Sequence, residues 1–241
     1  MNTTPQNIIE SILEQANPLG VNLDVKKNVF ILPTKKELWE TFKYYFFNLN
    51  GKGFIENNQT VENVRTLFYY FLKDEMFFQC PNLIGELSIP SFDKGLLIIG
   101  GFGIGKTAYM KAFEKCFEKY SPHRFKIYST NDVVTMFESC DRFDDRNTFF
   151  DKMSLGKLLF DDFNSERLAN NFGKVDLLKE IIEKRYMNQK LTHITCNYAD
   201  GFDMDVEKTL KEFAERYGSR VYDRLFEMFN IVTFSGKSLR R

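Results

Sequence analysis

The sequence predicts an α/β protein in which helices flank a parallel β-sheet, and three observations lead to this fold class. From about residue 95 onward, apolar segments typical of buried strands alternate with segments that have the period of amphipathic helices. A glycine-rich loop joins the first such strand to the first such helix. Polar residues follow the later strands, at the edge where parallel sheets bind their ligands.

The glycine-rich loop has the G-x-x-x-x-G-K-T pattern of a phosphate-binding P-loop. It consists of Gly100, Gly101, Phe102, Gly103, Ile104, Gly105, Lys106 and Thr107. Glycines permit positive φ, so the backbone N–H groups can curl around an anion, and the helix N-terminus adds to this attraction. The lysine supplies a charge for the β- and γ-phosphates, and the threonine hydroxyl is a Mg²⁺ ligand. The sequence therefore predicts a site for ATP or a similar triphosphate with Mg²⁺.

Two carboxylates follow the apolar strand at residues 158–160, some fifty-five residues after the P-loop lysine. In this position we expect Asp161 to hold Mg²⁺ and Asp162 to orient or deprotonate the attacking water. Many P-loop ATPases have glutamate at the second position, and aspartate is one methylene shorter. The alternative is a pair of helix-capping aspartates.

Asn197 follows the predicted strand at residues 192–196, where its amide can position water near the γ-phosphate. The alternative role is that of a turn residue. Farther along, Gly218 ends one predicted helix, and Arg220 lies in the first turn of the next. A cation is disfavoured there by the helix dipole, which suggests an anion elsewhere, such as the γ-phosphate of a neighbouring subunit. An arginine that reaches such a phosphate is an arginine finger. Arg224 is the alternative candidate for this role, or it pairs with Glu227. The other interpretation is that both arginines form ordinary surface ion pairs.

Residues 1–75 are predicted to form a helical N-terminal, partner-binding domain, with residues 76–241 as the ATPase domain. Helices are expected near residues 8–16, 38–49 and 60–72, each with apolar residues on more than one face. We expect this surface to pack within the chain, with a docking surface as the alternative. The connection at residues 80–91 is expected to run near the nucleotide base.

Charge, cysteine spacing and hydropathy limit the classes of partner, metal site and location that we expect. The chain has 33 basic and 33 acidic residues, so its overall charge gives no argument for nucleic acid or membrane. His193 and Cys196 lack partners at zinc spacing, so no metal site is expected there. With no signal peptide and no apolar run of membrane-spanning length, we expect a soluble cytoplasmic protein with reduced thiols. The four cysteines are scattered: Cys80, Cys116, Cys140 and Cys196.

The motifs together resemble those of the AAA+ ATPases of the DnaC/DnaI helicase-loader and IstB transposition-helper group. The resemblance rests on GGFGIGKT at 100–107, LLFDDF at 158–163, THITCNY at 192–198 and the terminal segment 217–241. It implies an AAA+ domain without the helical lid that carries a sensor 2 arginine in other AAA+ proteins. The roles that it implies are Walker A for Lys106 and Thr107, Walker B for Asp161 and Asp162, sensor 1 for Asn197 and the trans-acting finger for Arg220.

The resemblance also implies a function: an ATP- and Mg²⁺-dependent loader of a replicative helicase that forms an ATP-dependent homo-oligomer. Single-stranded DNA contact is implied by kinship alone, because the region from residue 128 to 153 is not conspicuously basic. An IstB-like helper of a transposase, a nucleotide-gated adaptor with weak hydrolysis and a small-molecule phosphotransferase are the alternatives. The region between residues 141 and 147 is expected to be a charged, solvated loop.

Overall fold

Parallel strands form the central sheet of the computed structural model, which describes residues 33–120, 122–171, 173–202 and 204–240. The strands in chain order are β1 (Gly95–Gly100), β2 (Lys126–Ser129), β3 (Leu158–Asp161), β4 (Ala169–Asn170), β5 (Lys174–Val175), β6 (Thr192–Cys196) and β7 (Phe229–Phe234). The main sheet has the order β2-β3-β6-β1-β7, and all of its pairings are parallel. Strands β4 and β5 form a separate antiparallel pair.

Helices occupy most of the connections between these strands. They are α1 (Lys35–Asn50), α2 (Asn58–Phe71), α3 (Lys106–Phe117), α4 (Thr130–Glu138), α5 (Phe143–Ser154), α6 (Leu177–Met187), α7 (Val206–Tyr217) and α8 (Ser219–Met228), with a 3₁₀ turn at Glu75–Gln79. Within the described ranges, no helix has the length and apolar character needed to cross a membrane. The predicted α/β class with a parallel sheet is confirmed.

Strand β1 is an interior strand of the sheet, between β6 and β7, and all six of its residues are buried. Successive side chains of a strand point to opposite faces, so the strand contributes to two cores. Leu96 and Ile98 belong to the cluster under α1, α2 and α3, whereas Leu97 and Ile99 belong to the cluster under the later helices. This double coverage explains the continuous apolar run in the sequence.

The first core is dominated by aromatic rings from α1, α2 and the P-loop helix α3. Phe42 of α1 contacts Phe68 of α2 and Phe113 of α3, with ring centroids 5.7 and 5.2 Å apart. Phe71 of α2 stacks on Phe113 at 5.0 Å. The expectation that the N-terminal helices pack within the chain is therefore met by α1 and α2, while the helix expected at residues 8–16 lies outside the described residues.

The boundaries of α1 are set by two local signals. Thr34 is the N-cap and forms a capping box with Glu37, which satisfies orphan N–H groups of the first turn. Gly51 ends the helix in the left-handed conformation, with φ of 68°. The chain then turns back so that Lys52 and Gly53 lie beside the P-loop.

Residues 32–241 form one compact unit, and the domain boundary predicted at residue 75 falls inside it. The reason is physical: helices α1 and α2 share a core with the P-loop helix. The partner-binding role assigned to residues 1–75 stays a prediction.

Two local expectations differ from the structure. Residues 143–147, expected as part of a charged loop, begin helix α5, because Asp144 and Asp145 lie in its first turn and favour its dipole. The connection at residues 80–91 runs along the outer edge of the sheet. There the Ile84 amide donates to Ile231, and Leu83 forms a bridge with Val232.

Candidate nucleotide-binding site

The P-loop joins β1 to α3 at the carboxyl edge of the sheet. Gly103 and Gly105 have φ of 75° and 101°, values that a residue with a Cβ rarely adopts. A Cβ on Gly105 would also lie 2.5 Å from the ring of Tyr109. Phe102 is exposed at the tip, whereas Ile104 is buried in the core beneath. Ile104 therefore anchors the loop in the core, while the loop tip at Phe102 faces solvent.

The Lys106 ammonium lies at the centre of the site and is nearly buried. Its Nζ donates to the carbonyl oxygens of Gly100 (2.7 Å) and Gly101 (2.8 Å) and to Oδ1 of Asn197 (2.9 Å). The predicted sensor residue is therefore in direct contact with the predicted phosphate-binding lysine. Lys106 follows β1 through the P-loop, and Asn197 directly follows the adjacent strand β6, which explains why they meet across 91 positions of sequence.

Asp161, the last residue of β3, is held by two hydroxyl groups. Thr107 Oγ1 donates to its Oδ1 at 3.0 Å, and Thr195 Oγ1 donates to the same oxygen at 2.5 Å. Thr195 also accepts the amide of Asp162 at 3.1 Å. The two predicted metal ligands, Thr107 and Asp161, are therefore adjacent.

Burial shifts the pKa values of both central charges towards the neutral forms. Desolvation lowers the pKa of Lys106, and the positive charge of Arg240 adds to this effect. Desolvation raises the pKa of Asp161, against the hydrogen bonds from Thr195 and Thr107. Each charge is thus costly in this structure, and a bound ion of opposite sign would relieve that cost.

The donor atoms fit a magnesium ion that is bound together with phosphate. Mg²⁺ prefers hard oxygen ligands and is usually held by one or two carboxylates plus substrate phosphates. The Thr107 hydroxyl and the Asp161 carboxylate provide such oxygens. In the described part of the chain no group of three or more His, Cys, Asp or Glu residues is arranged to bind a metal alone, so the phosphate oxygens would complete the ligand set.

Asp162 follows β3 in the left-handed region, with φ of 57°. Its carbonyl accepts from the Thr130 hydroxyl at 2.9 Å, which fixes the backbone. Its exposed side chain lines the cavity above the P-loop, together with Asn197. Both residues therefore line the same cavity as Lys106, and their catalytic roles stay a prediction.

This P-loop cavity has a volume of about 580 Å³. Its other wall consists of residues 46–55, from the end of α1 and the following turn, and no lining residue comes from residues 80–91. Four basic residues line it (Lys52, Lys106, Lys111 and Arg240), against the single carboxylate of Asp162. Such an excess of positive charge suits a polyphosphate.

The C-terminal segment after β7 passes over the P-loop, which the sequence analysis did not anticipate. The Leu239 amide donates to Gly103 O at 2.9 Å, and Lys52 Nζ donates to Leu239 O at 2.9 Å. Arg240 is thereby brought into the cavity wall of its own chain. The terminal Ser-Leu-Arg-Arg contains no motif that predicts which way the chain turns after β7.

Arg220 lies outside this cavity. It is exposed in the first turn of α8, and it forms no ion pair or hydrogen bond with any described residue. Arg224, one turn on, is engaged within its own chain: it pairs with Glu183 at 3.6 Å and covers the ring of Tyr186 at 4.5 Å. The expected pairing with Glu227 is replaced by these two contacts, because Tyr186 itself donates to that carboxylate.

The corner between α7 and α8, which carries Arg220, is fixed to the loop after Asp162. Arg216 donates to the carbonyls of Asn164 (2.8 Å) and Glu166 (2.7 Å) and pairs with the Glu166 carboxylate at 2.6 Å. Tyr217 donates to the same carboxylate at 2.6 Å. Because these groups are largely buried, the exposed arginine has a rigid base that is connected to the acidic side of the site.

With this geometry in place, comparisons with known proteins identify the fold. The sequence matches no protein-family model and no curated protein. Among solved structures, the crystal structure of the DnaC helicase loader superposes with a TM-score of 0.52 and 24% identity, covering 79% of this chain and 98% of that chain. DnaI gives a TM-score of 0.52 and 16% identity, over 79% of this chain and 89% of that one.

A putative primosome component from Streptococcus pyogenes serotype M3 gives a TM-score of 0.51 with 15% identity, over 77% of this chain and 84% of that chain. The chain has the AAA+ fold of the DnaC/DnaI helicase loaders. The likeness expected from the motifs is therefore confirmed at the level of the fold. In this loader-type fold, the P-loop, Asp161 and Asn197 lie at the ends of three different strands of the central sheet.

Proposed function

We propose that this chain is a Mg²⁺-dependent ATPase that assists the loading of a replicative helicase. The observation that carries the proposal is the meeting of Lys106, Asp161 and Asn197 at one edge of a loader-type sheet. Lysine for phosphate, carboxylate for metal and amide for water are the parts that phosphoryl transfer to water requires.

Each residue has a role that follows from its position. Lys106 and the loop amides would bind the β- and γ-phosphates of ATP, while Thr107 and Asp161 would hold Mg²⁺. The metal, when bound, neutralises charge on the phosphates. Asp162 and Asn197, which line the same cavity, would orient the attacking water. Binding of the γ-phosphate would compete for the Lys106 ammonium and so release Asn197 for that task.

The finger is proposed to act in trans, on the site of a neighbouring copy. Arg220 is exposed, without a partner among the described residues, and lies away from its own cavity. Arg224, the alternative left open by the sequence, is already paired in its own chain. An ATP-dependent homo-oligomer follows from this assignment, because the site is complete only when a second copy contributes its arginine.

Two variants and their mixture test the trans assignment. Lys106→Ala is expected to abolish nucleotide binding, and Arg220→Ala to bind ATP normally but lose hydrolysis by about 1,000-fold or more. In a mixture of the two, the arginine of the Lys106→Ala chain meets the intact site of the Arg220→Ala chain, so part of the activity returns. Steady-state phosphate release measures each case, and light scattering with an ATP analogue measures assembly.

The matched control is Arg224→Ala, which removes a guanidinium from the same helix. It is expected to retain hydrolysis because its partners, Glu183 and Tyr186, lie within its own chain. Normal hydrolysis by Arg220→Ala as a monomer, or a mixture without any regained activity, contradicts the trans assignment. If Arg224→Ala lost hydrolysis while binding ATP normally, the role of the trans-acting finger would instead belong to Arg224.

A replicative helicase is proposed as the client because the fold of this chain resembles that of DnaC, a helicase loader. Affinity capture with the full-length protein, with ATP analogue against ADP, tests it: recovery of a hexameric helicase supports the loader role. Recovery of a transposase would favour the IstB-like alternative. Absence of steady ATP turnover, with or without single-stranded DNA, would favour the nucleotide-gated adaptor, for which the short side chain of Asp162 is the structural reason.

A further inference from the structure

A second cavity, of about 380 Å³, lies at the opposite edge of the sheet, where the strands begin. Lys157 and Leu191 line it immediately before β3 and β6, and Asp93 lines it shortly before β1. We call it the amino-edge cavity. It shares no lining residue with the P-loop cavity, so a ligand could occupy it independently of ATP.

Both histidines of the protein line this cavity. His193 is almost fully buried, and its Nδ1 accepts the Leu96 amide at 3.0 Å. The neutral ring therefore carries its proton on Nε2, which has no hydrogen-bond partner among the described residues. Nε2 of His123 is buried and has no hydrogen-bond partner among the described residues. A buried polar nitrogen without a partner is rare in folded proteins and calls for a ligand or water.

Two lysines add positive charge to the same wall. Lys73 forms no ion pair with any described residue, and Lys157 donates only to a backbone carbonyl, that of Pro122. Burial and these positive charges lower the pKa of His123, and burial followed by the charge of Lys73 lowers the pKa of Lys157. Asp93 is the carboxylate among the lining residues, and it forms no salt bridge with the lysines in the described structure.

Lys73 ends helix α2 in a common helix-terminating motif. Its φ of 52° is the left-handed conformation that this motif requires. The Lys73 amide donates to Tyr70 O, and the Asp74 amide donates to Tyr69 O. The backbone that carries this lysine is therefore fixed beside the cavity.

We propose that the amino-edge cavity binds the phosphate group of a small ligand, at a site separate from the P-loop. The two ammonium groups and the Nε2–H of His193 are donors, which suits the oxygens of a phosphate and leaves few acceptors for a cation. Protonation of His123 would add another donor. Inorganic phosphate would leave much of the volume unfilled, and Tyr70, Phe71 and Phe92 provide aromatic walls for a ring attached to the phosphate.

The two histidines provide a direct experiment, because the ¹⁵N or ¹³C spectrum of the imidazoles contains signals from two rings only. Full-length protein carrying Lys106→Ala, which silences the P-loop, is titrated with inorganic phosphate and with thymidine monophosphate. We expect both imidazole signals to shift with saturation and the pKa of His123 to rise on binding. Tighter binding of thymidine monophosphate identifies a ring-bearing ligand, and equal binding identifies free phosphate.

Two lysine variants show whether the shifts come from this cavity. Lys157→Met and Lys73→Met are each expected to weaken binding by about tenfold or more, as for the loss of a charge-assisted hydrogen bond. The control is Lys36→Met, an exposed lysine on α1 outside the cavity, which is expected to bind normally. Imidazole signals that stay fixed at millimolar concentrations of both probes overturn the proposal. So does binding that neither Lys73→Met nor Lys157→Met weakens.

Discussion

Replacing Asp161 by asparagine is expected to stabilise the protein while it removes its function. The carboxylate is 6% exposed, and its hydrogen bonds come from two hydroxyl groups, those of Thr107 and Thr195. Both donate to Oδ1, so the amide oxygen of asparagine can accept both bonds. The substitution therefore removes a buried charge without leaving either donor unsatisfied, and we expect a gain of about 1 kcal/mol in the free energy of unfolding at pH 7.

The direction of the pKa shift of Asp161 decides how the stability difference between the wild type and Asp161→Asn depends on pH. Burial raises the pKa of Asp161 above its ordinary value of 3.8, so the folded state favours the protonated acid. That stabilisation is fully present below the ordinary pKa and is lost as the pH rises through the raised pKa of the folded protein. Asparagine resembles the protonated acid at every pH. The variant should therefore exceed the wild type in stability at pH 7, and the difference should close as the pH falls towards 3.8.

Urea unfolding measures the effect through Trp39, the single tryptophan, which packs against Phe42 and Phe68. The control is Asp151→Asn, an exposed aspartate on α5 whose replacement should change stability by less than about 0.5 kcal/mol. With Mg²⁺ and an ATP analogue, the wild type should gain stability and Asp161→Asn should gain less. A variant that is less stable than the wild type at pH 7 refutes the reasoning, because the carboxylate would then contribute to folding.

Three further outcomes are expected. Phe113→Ala should cost about 3 to 5 kcal/mol in urea unfolding because its ring is fully buried between α1, α2 and α3, whereas Tyr44→Ala, at an exposed ring, should cost little. Arg240→Ala should weaken binding of an ATP analogue by about tenfold in calorimetry without loss of stability, and an unchanged affinity would remove Arg240 from the site. Burial lowers the pKa of His193 to about 3 from 6.5, so its contribution to stability is lost as the pH falls below 6.5. The stability difference between wild type and His193→Gln should therefore shift against the wild type by about 2 kcal/mol between pH 7 and pH 5, and a constant difference would contradict this.

Much of the candidate site was predictable because its residues follow strands. The end of an apolar run is readable in sequence, and parallel strands bring their carboxyl ends to one edge. That is why Lys106, Asp161 and Asn197 could be placed together before their contacts were known. Thr195 could have been added, since a hydroxyl in a fully buried strand needs a partner, and here the partner is Asp161.

The remainder depended on contacts that local sequence does not encode. Arg240 reaches the P-loop through an irregular segment. The path of this segment is set by the Leu239 amide, which donates to Gly103 O, and by the Lys52 side chain, which donates to Leu239 O. The wall formed by residues 46–55 follows from tertiary packing of α1 on α3, which no periodicity reveals. The helix beginning at Phe143 was hidden by its charged first turn, where acidic residues favour the dipole instead of indicating a loop.

Helix α1 sets the smallest length at which this protein can be studied in isolation. Phe46 is buried in the aromatic core and also lines the P-loop cavity. A chain shortened to residues 76–241 would lose that wall and expose the rings of Tyr109 and Phe113, which α1 and α2 now cover. Fragments cut at residue 75 should therefore aggregate or lose their ligand for reasons unrelated to any partner, and those that begin before Thr34 are the proper reference for binding experiments.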